Sequence, residues 1–227
     1  MGGAQTAAGS GDEMERHLRR QICEIGRRMW QRNLVSANDG NVSVRMFDGR
    51  VLCTPTGVSK GFMTEVSLPM VTLDGELVET PGALPPSSEI KMHLRAYGES
   101  DEVGAVVHAH PPYATAFAIK GEALVGKLLP ETILTMPEVP LAPYALPSTD
   151  AVPESIAPFI TTHSSCLLEH HGALTWAGDL EAAYLMMERL EYFARVTFLA
   201  RQLDGERDLS PERVSEVRRQ FGVADLR

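Results

Sequence analysis

Val103-Gly104-Ala105-Val106-Val107-His108-Ala109-His110-Pro111-Pro112 holds a strand, a pair of ligating side chains and a helix start in one run. A short apolar stretch closed by turn residues reads as a strand buried on both faces. The double proline cannot continue a hydrogen-bonded ladder, and its fixed φ suits a first helical turn, so a helix is predicted to open there. A buried strand that feeds a helix belongs to an α/β architecture. His108 and His110 are two residues apart, so on a strand they point to the same side. Two such imidazoles can share one metal ion, and they can equally be ordinary strand-end histidines.

Working outward, Leu18, Ile22, Ile25 and Met29 recur at helical spacing, which predicts a helix from Asp12 to the turn-rich Ser36-Ala37-Asn38-Asp39-Gly40. Asn41-Val42-Ser43-Val44-Arg45 alternates as a strand should, and Phe47-Asp48-Gly49-Arg50 returns it to Val51-Leu52-Cys53 as a hairpin. Residues 69–78 read as two short strands joined at Asp74-Gly75. Ser87-Ser88 is a helix start, with Glu89 expected in the first turn and Ile90, Leu94 and Tyr97 on the buried stripe. Residues 130–148 are proline-rich and read as irregular, with a short strand near Val139. Thr149 is expected to cap a helix over Ala151–Ile160. Strands at 164–168 and 173–176 flank the turn His170-His171-Gly172, and a long helix over 179–202 carries Leu180, Tyr184, Met187, Leu190, Ala194 and Phe198 on one face. Ser210-Pro211-Glu212 starts a last short, polar helix.

The chain has 227 residues, 44% of them hydrophobic and 22% charged, which suits one globular domain with a core that needs no disulfides. Residues 1–11, rich in Gly, Ala and Ser, read as a disordered leader to a single domain over 12–227, of which 203–227 form a polar tail. Cys23, Cys53 and Cys166 are odd in number and widely spaced, which points to a reducing compartment. The net charge of −9 argues against broad nucleic-acid binding, yet an anionic small molecule can still be held by backbone NH groups. The most apolar run, 103–119, is too short to span a membrane and contains two histidines. No basic region followed by an apolar core opens the chain, so a cytoplasmic location and no membrane partner are expected.

His171 is the possible third ligand: it too follows an apolar strand, and the glycine after it permits a tight turn that aims the ring. Adjacent His170 must point elsewhere. Three histidines with an open position make the usual catalytic zinc arrangement. His17 and His93 sit in helical patterns and His163 begins a polar turn, so none of these joins the set. Glu89 is the best acid/base candidate, although a glutamate in a first turn also simply complements the helix dipole. Gly40-Asn41, Thr56-Gly57 and Ser87-Ser88 are small hydrogen-bonding clusters of the kind that cradle phosphate. A cupin oxygenase would place a carboxylate just after the HxH pair, but Ala114 stands there, and the strong helices disagree with a cupin barrel.

Asp39-Gly40-Asn41-Val42-Ser43-Val44-Arg45, Thr54-Pro55-Thr56-Gly57, Ser87-Ser88-Glu89, His108-Ala109-His110-Pro111 and His170-His171-Gly172 stand in the order of the class II aldolase/adducin-head family. The resemblance covers residues 14–203, and within the family the aldolases that cleave L-fuculose 1-phosphate are most similar. It implies a three-layer α/β/α sandwich around a largely antiparallel sheet, in a homotetramer with active sites between subunits. His108, His110 and His171 match the family's Zn2+ ligands. Glu89 matches its catalytic acid/base, which also coordinates the resting metal. Asn41, Thr56, Gly57, Ser87 and Ser88 match its phosphate-binding positions. The implied reaction is reversible cleavage of a ketose 1-phosphate to dihydroxyacetone phosphate and an aldehyde.

The chain departs from the family pattern in three places. His170 stands where asparagine is usual, 129–133 lacks the tyrosine that a neighbouring subunit lends, and no tyrosine follows Gly205. A deoxy or alkylthio aldehyde therefore fits as well as the fucose-derived one. Relatives that epimerise L-ribulose 5-phosphate carry aspartate where Glu89 stands, which favours the aldolase. A decarboxylase of a phosphorylated 3-oxo acid remains open. A metal-free interaction module like the adducin head would be expected to lack the three histidines.

Overall fold

The computed structural model describes residues 4–223, with side chains from residue 11 onward. The elements run α1 (Ala4–Gln31), β1 (Asn41–Arg45), β2 (Val51–Cys53), β3 (Met70–Val71), β4 (Leu77–Val78), α2 (Ile90–Glu99), β5 (Ala105–Ala109), α3 (Pro112–Lys120), β6 (Leu124–Val125), α4 (Pro130–Thr135), β7 (Glu138–Val139), β8 (Leu141–Ala142), α5 (Ala151–Ile160), β9 (Ser165–Leu168), β10 (Gly172–Ala177), α6 (Leu180–Gln202) and α7 (Pro211–Gln220). Eight strands form one sheet in the order β4-β3-β2-β1-β5-β10-β9-β8, and β6 pairs with β7 apart from it. Within the large sheet only the edge pair β8–β9 is parallel.

The pleat divides the core into two layers. Ala105, Val107 and Ala109 of β5, with Val42 and Val44 of β1, pack against Ile22, Ile25 and Met29 of α1, Phe117 of α3 and the buried face of α6. The alternate residues, Val106 on β5 and Leu174 and Trp176 on β10, pack against Met92, Ala96 and Tyr97 of α2 and Val152 and Ile156 of α5. Successive strand residues face opposite sides, so a strand covered on both sides is apolar throughout. The result is an α/β/α sandwich around a mostly antiparallel sheet.

Four local expectations are corrected. Helix α1 begins at Ala4 rather than Asp12, so most of the supposed leader is helical; Ala4, Ala7 and Ala8 are strong helix formers. Residues 1–3 lie outside the described residues. Helix α2 begins at Ile90, which leaves Glu89 at the N-cap with φ −95° and ψ 8° rather than in the first turn. The turn ahead of it is closed by the Ile90 NH on the Ser87 carbonyl (3.1 Å) and the Glu89 NH on Ser87 Oγ (3.3 Å). The proline-rich 130–148 segment holds the expected strand at Val139, β7, but also α4, where Pro130 takes the N1 position, and a second short strand, β8. Asp150, not Thr149, takes the N-cap of α5, although Thr149 Oγ1 accepts the Ala151 NH at 3.3 Å.

Candidate active site

Strand register gathers the site. Asn41 lies directly across from His108, as does Leu174 from the other neighbour. Paired residues project to the same face, so Asn41 and His108 lie side by side, and Ser43, two residues on, shares that face. The start of α2 lies over it and places Glu89 against the imidazoles. The short turn between β9 and β10 brings in His171. Its left-handed residue is His170 (φ 55°), not Gly172. Gly172 serves a different need: a Cβ there would lie 2.5 Å from the Ala109 carbonyl oxygen and 2.7 Å from His110 Cδ2. The glycine allows β10 to approach the strand end that carries His110.

His108, His110 and His171 offer nitrogens that all lie within 4.8 Å of one another. His108 is fully buried, and its Nδ1–H donates to the Ala173 carbonyl at 3.0 Å. The other nitrogen of the ring, Nε2, lies 3.0 Å from His110 Nε2. Burial, then the neighbouring His108 and His171, push His110 down to about 3 and keep it neutral. Glu89 completes the cluster, with Oε2 3.2 Å from His108 Nε2 and Oε1 3.1 Å from His171 Nε2. Burial raises the Glu89 carboxyl, but its hydrogen bonds with His108 and His171 outweigh that and hold it well below the usual carboxylate range. Imidazole nitrogens and a carboxylate converging on one point suit a divalent cation, so the donor set fits a metal ion.

The cluster opens into a cavity of about 230 Å³. Asn41, Thr56, Gly57, Ser87 and Ser88 all line it, together with Glu89, His110 and His171. A single antiparallel bridge between Pro55 and Pro86, with the Ser87 NH on the Thr54 carbonyl at 3.2 Å, brings the Thr56-Gly57 and Ser87-Ser88 loops together. Gly40 turns the chain into β1 at φ 75°, where a Cβ would meet Val35 Cγ1 at 2.5 Å and the His108 carbonyl oxygen at 2.9 Å.

Sequence reasoning missed several residues here. Lys60 lines the cavity although it is 1% exposed. Its Nζ donates to the carbonyls of Asn38 (2.8 Å) and Val58 (2.7 Å), and burial, opposed by Asp39, lowers its pKa to about 8. Ser148 reaches the rim from the loop before α5, its Oγ 3.1 Å from Ser88 Oγ. His93 is fully buried beneath Asn41, and Ser43 and Tyr97 are buried with it. The signal for this group was the spacing Glu89, His93, Tyr97: steps of four align side chains on one helix face. His170 instead faces Tyr144, ring centroids 6.5 Å apart, away from the triad.

A chain with this sandwich and this three-histidine cavity matches the model of the Class II Aldolase and Adducin N-terminal domain over residues 20–198, and it belongs to that family. It is similar to the 3-oxo-tetronate 4-phosphate decarboxylase of Escherichia coli O6:H1, at 30% identity over 82% of this chain and 89% of the relative. It is also similar to the L-fuculose phosphate aldolase of the same organism, at 32% identity over 94% of this chain and 99% of the relative. Among solved structures, YgbL of Klebsiella pneumoniae superposes with a TM-score of 0.82 at 29% identity, covering 90% of this chain and 99% of that one. The family and these relatives make the chain an enzyme of the class II aldolase type.

Proposed function

We propose that the chain is a zinc-dependent aldolase that reversibly cleaves a ketose 1-phosphate to dihydroxyacetone phosphate and an aldehyde. L-fuculose 1-phosphate, or a related deoxy or alkylthio pentulose 1-phosphate, fits as the substrate. The observation that carries this reading is Glu89, whose carboxylate sits between the three histidines and a cavity lined by Asn41, Thr56, Gly57, Ser87 and Ser88. His108, His110 and His171 would hold Zn2+, which when bound polarises the ketone and stabilises the enediolate left by bond cleavage. Asn41, Thr56, Gly57, Ser87 and Ser88 bind the phosphate through amide, hydroxyl and backbone groups. The bond between C3 and C4 breaks, its electron pair stays on C3, and the C4 hydroxyl proton passes to solvent as C4 becomes the aldehyde. The Glu89 carboxylate, once away from the imidazoles, takes up a proton from solvent and delivers it to C3, which completes dihydroxyacetone phosphate.

A decarboxylase is the second reading, supported by the relatives of that name. In a 3-oxo-tetronate 4-phosphate, loss of the C1 carboxylate as CO2 leaves the same dihydroxyacetone phosphate enediolate. One site can therefore serve either leaving group. A panel of ketose 1-phosphates and 3-oxo-tetronate 4-phosphate, assayed for dihydroxyacetone phosphate together with CO2 or aldehyde, separates the readings. Epimerisation of a pentulose 5-phosphate with neither cleavage would overturn both.

A homotetramer with sites shared between subunits completes the proposal. Leu185, Tyr192 and Leu199, seven residues apart on α6, are 45%, 60% and 46% exposed and form an apolar stripe suited to a second copy. Light scattering of the purified chain tests the mass. Three free thiols suit the cytoplasm, and no helix among the described residues is long and apolar enough to cross a membrane.

A further inference from the structure

Beneath the cavity floor, five side chains form one hydrogen-bonded line. Tyr97 Oη lies 2.6 Å from Ser43 Oγ, which lies 2.7 Å from His93 Nδ1. His93 Nε2 meets Asn41 Oδ1, and Asn41 Nδ2 lies 3.2 Å from Glu89 Oε2. His93 and Ser43 are fully buried, and Tyr97 and Asn41 nearly so.

We propose that His93 is a positioning residue: as the neutral Nε2–H tautomer it fixes the Asn41 amide with its NH2 group toward Glu89 and the phosphate cavity. The inference rests on the reading of Asn41 as a phosphate donor and adds what sets its orientation. The argument is one of polarity. A carboxylate can only accept, so the Asn41 group beside Glu89 must be the NH2. Asn41 then presents Oδ1 to His93, and a carbonyl oxygen requires a donor there, so Nε2 carries the proton. Neutral His93 has a bare Nδ1, which accepts from the Ser43 hydroxyl, and Ser43 accepts from Tyr97. Every donor points the same way along the line, toward the cavity. One Asn41 amide proton goes to Glu89, and the other has no hydrogen-bond partner among the described residues while Asn41 lines the cavity. That proton is the one available to a phosphoryl oxygen. The opposite tautomer would accept from the amide and rotate its carbonyl toward both the carboxylate and the phosphate. That one acceptor, facing two anions, would be unpaired and repulsive.

The test uses zinc-loaded enzyme with dihydroxyacetone phosphate as the probe. Nitrogen-15 spectra of histidine-labelled protein, with the His93 signals identified by their loss in His93→Gln, should show a protonated Nε2 and a bare Nδ1. A protonated Nδ1 overturns the proposal, and this readout needs only folded wild-type and His93→Gln proteins. Glutamine can place an NH near the imidazole Nε2, so His93→Gln should bind the probe within a few-fold of wild type. His93→Leu offers no donor and should bind roughly tenfold to a hundredfold more weakly, with zinc content unchanged. Equal affinity in the leucine variant and wild type, or equal loss in the leucine and glutamine variants, overturns the proposal. Asn41→Asp separates the two layers of argument. Normal probe binding there ends the phosphate reading of Asn41 itself. Weak binding there beside normal binding in His93→Leu ends only the role of His93.

Discussion

Glu89, partly buried, and Lys60, buried, are two ionisable side chains on one cavity, and their surroundings treat them in opposite ways. Hydrogen bonds with His108 and His171 keep Glu89 ionised, so in the proposed reaction it can take up a proton when it moves from the imidazoles to substrate. Glu89→Gln keeps the shape and an oxygen but cannot carry the proton. Cleavage should fall by about 10²–10⁴-fold, with zinc retained and solvent exchange of the dihydroxyacetone phosphate C–H lost. Near-normal exchange in that variant would remove Glu89 from the reaction. Lys60 has only carbonyls and Asp39 to set against its burial, and its pKa falls from 10.5 to about 8. Below the lower value both folded and unfolded chains are protonated, and the burial penalty is fully present. Between the two values the unfolded chain holds more protons, so this residue makes stability rise with pH, by roughly 3 kcal/mol over the window. Lys60→Met should lack that increment. Denaturation midpoints of both proteins at about pH 7 and about pH 10 measure it, and parallel pH dependences would show that folding leaves the Lys60 pKa where it stands in the unfolded chain.

At the scale of elements, β5, β10 and α6 were legible because local pattern and final environment agree. The run 103–108 is apolar on both faces because both faces are covered, and α6 carries its buried residues at helical spacing. The metal-type histidines were legible for the same reason, since each follows such a strand. What the sequence could not supply was register. His93 looks like any helical residue until β1 is paired with β5 and α2 is laid over Asn41 and Ser43. Lys60 likewise becomes part of the cavity only when its 3-10 turn packs against α1, where a Cβ on Gly26 would lie 2.6 Å from the Lys60 carbonyl oxygen. The helix α4 was hidden by the prolines around it. Gly172 was singled out for the wrong reason, because the close approach of β10 to Ala109, rather than a turn, requires it. That distinction is testable. Gly172→Ala would force the strand end with His110 away from the β10 strand that follows His171, and metal affinity should fall by about 10–100-fold, the range typical for disturbed support of ligands. Full zinc occupancy under competition with a chelator would show that the strands yield without moving the histidines.

At the scale of the whole molecule, the histidine cluster is where distant parts of the chain meet. The end of β5 supplies His108 and His110, the turn after β9 supplies His171, and the start of α2 lays Glu89 against them. In the unfolded chain these groups are far apart and offer no site, so an ion held there stabilises the folded state by mass action. At a free concentration a thousandfold above its dissociation constant the gain is about 4.1 kcal/mol. A domain of this size gains about 2–4 °C of melting temperature for each kcal/mol, so removing the ion should lower the transition by on the order of 10 °C. Chelation followed by zinc readdition should move the melt down and back, with protein concentration held fixed because assembly also shifts it. His171→Ala should melt low from the outset, bind less zinc and respond little to chelator. His170→Ala should respond as wild type does, because its ring faces Tyr144 instead of the triad. Full zinc content in His171→Ala, or a melt indifferent to chelation in wild type, would place any bound metal somewhere other than these three histidines.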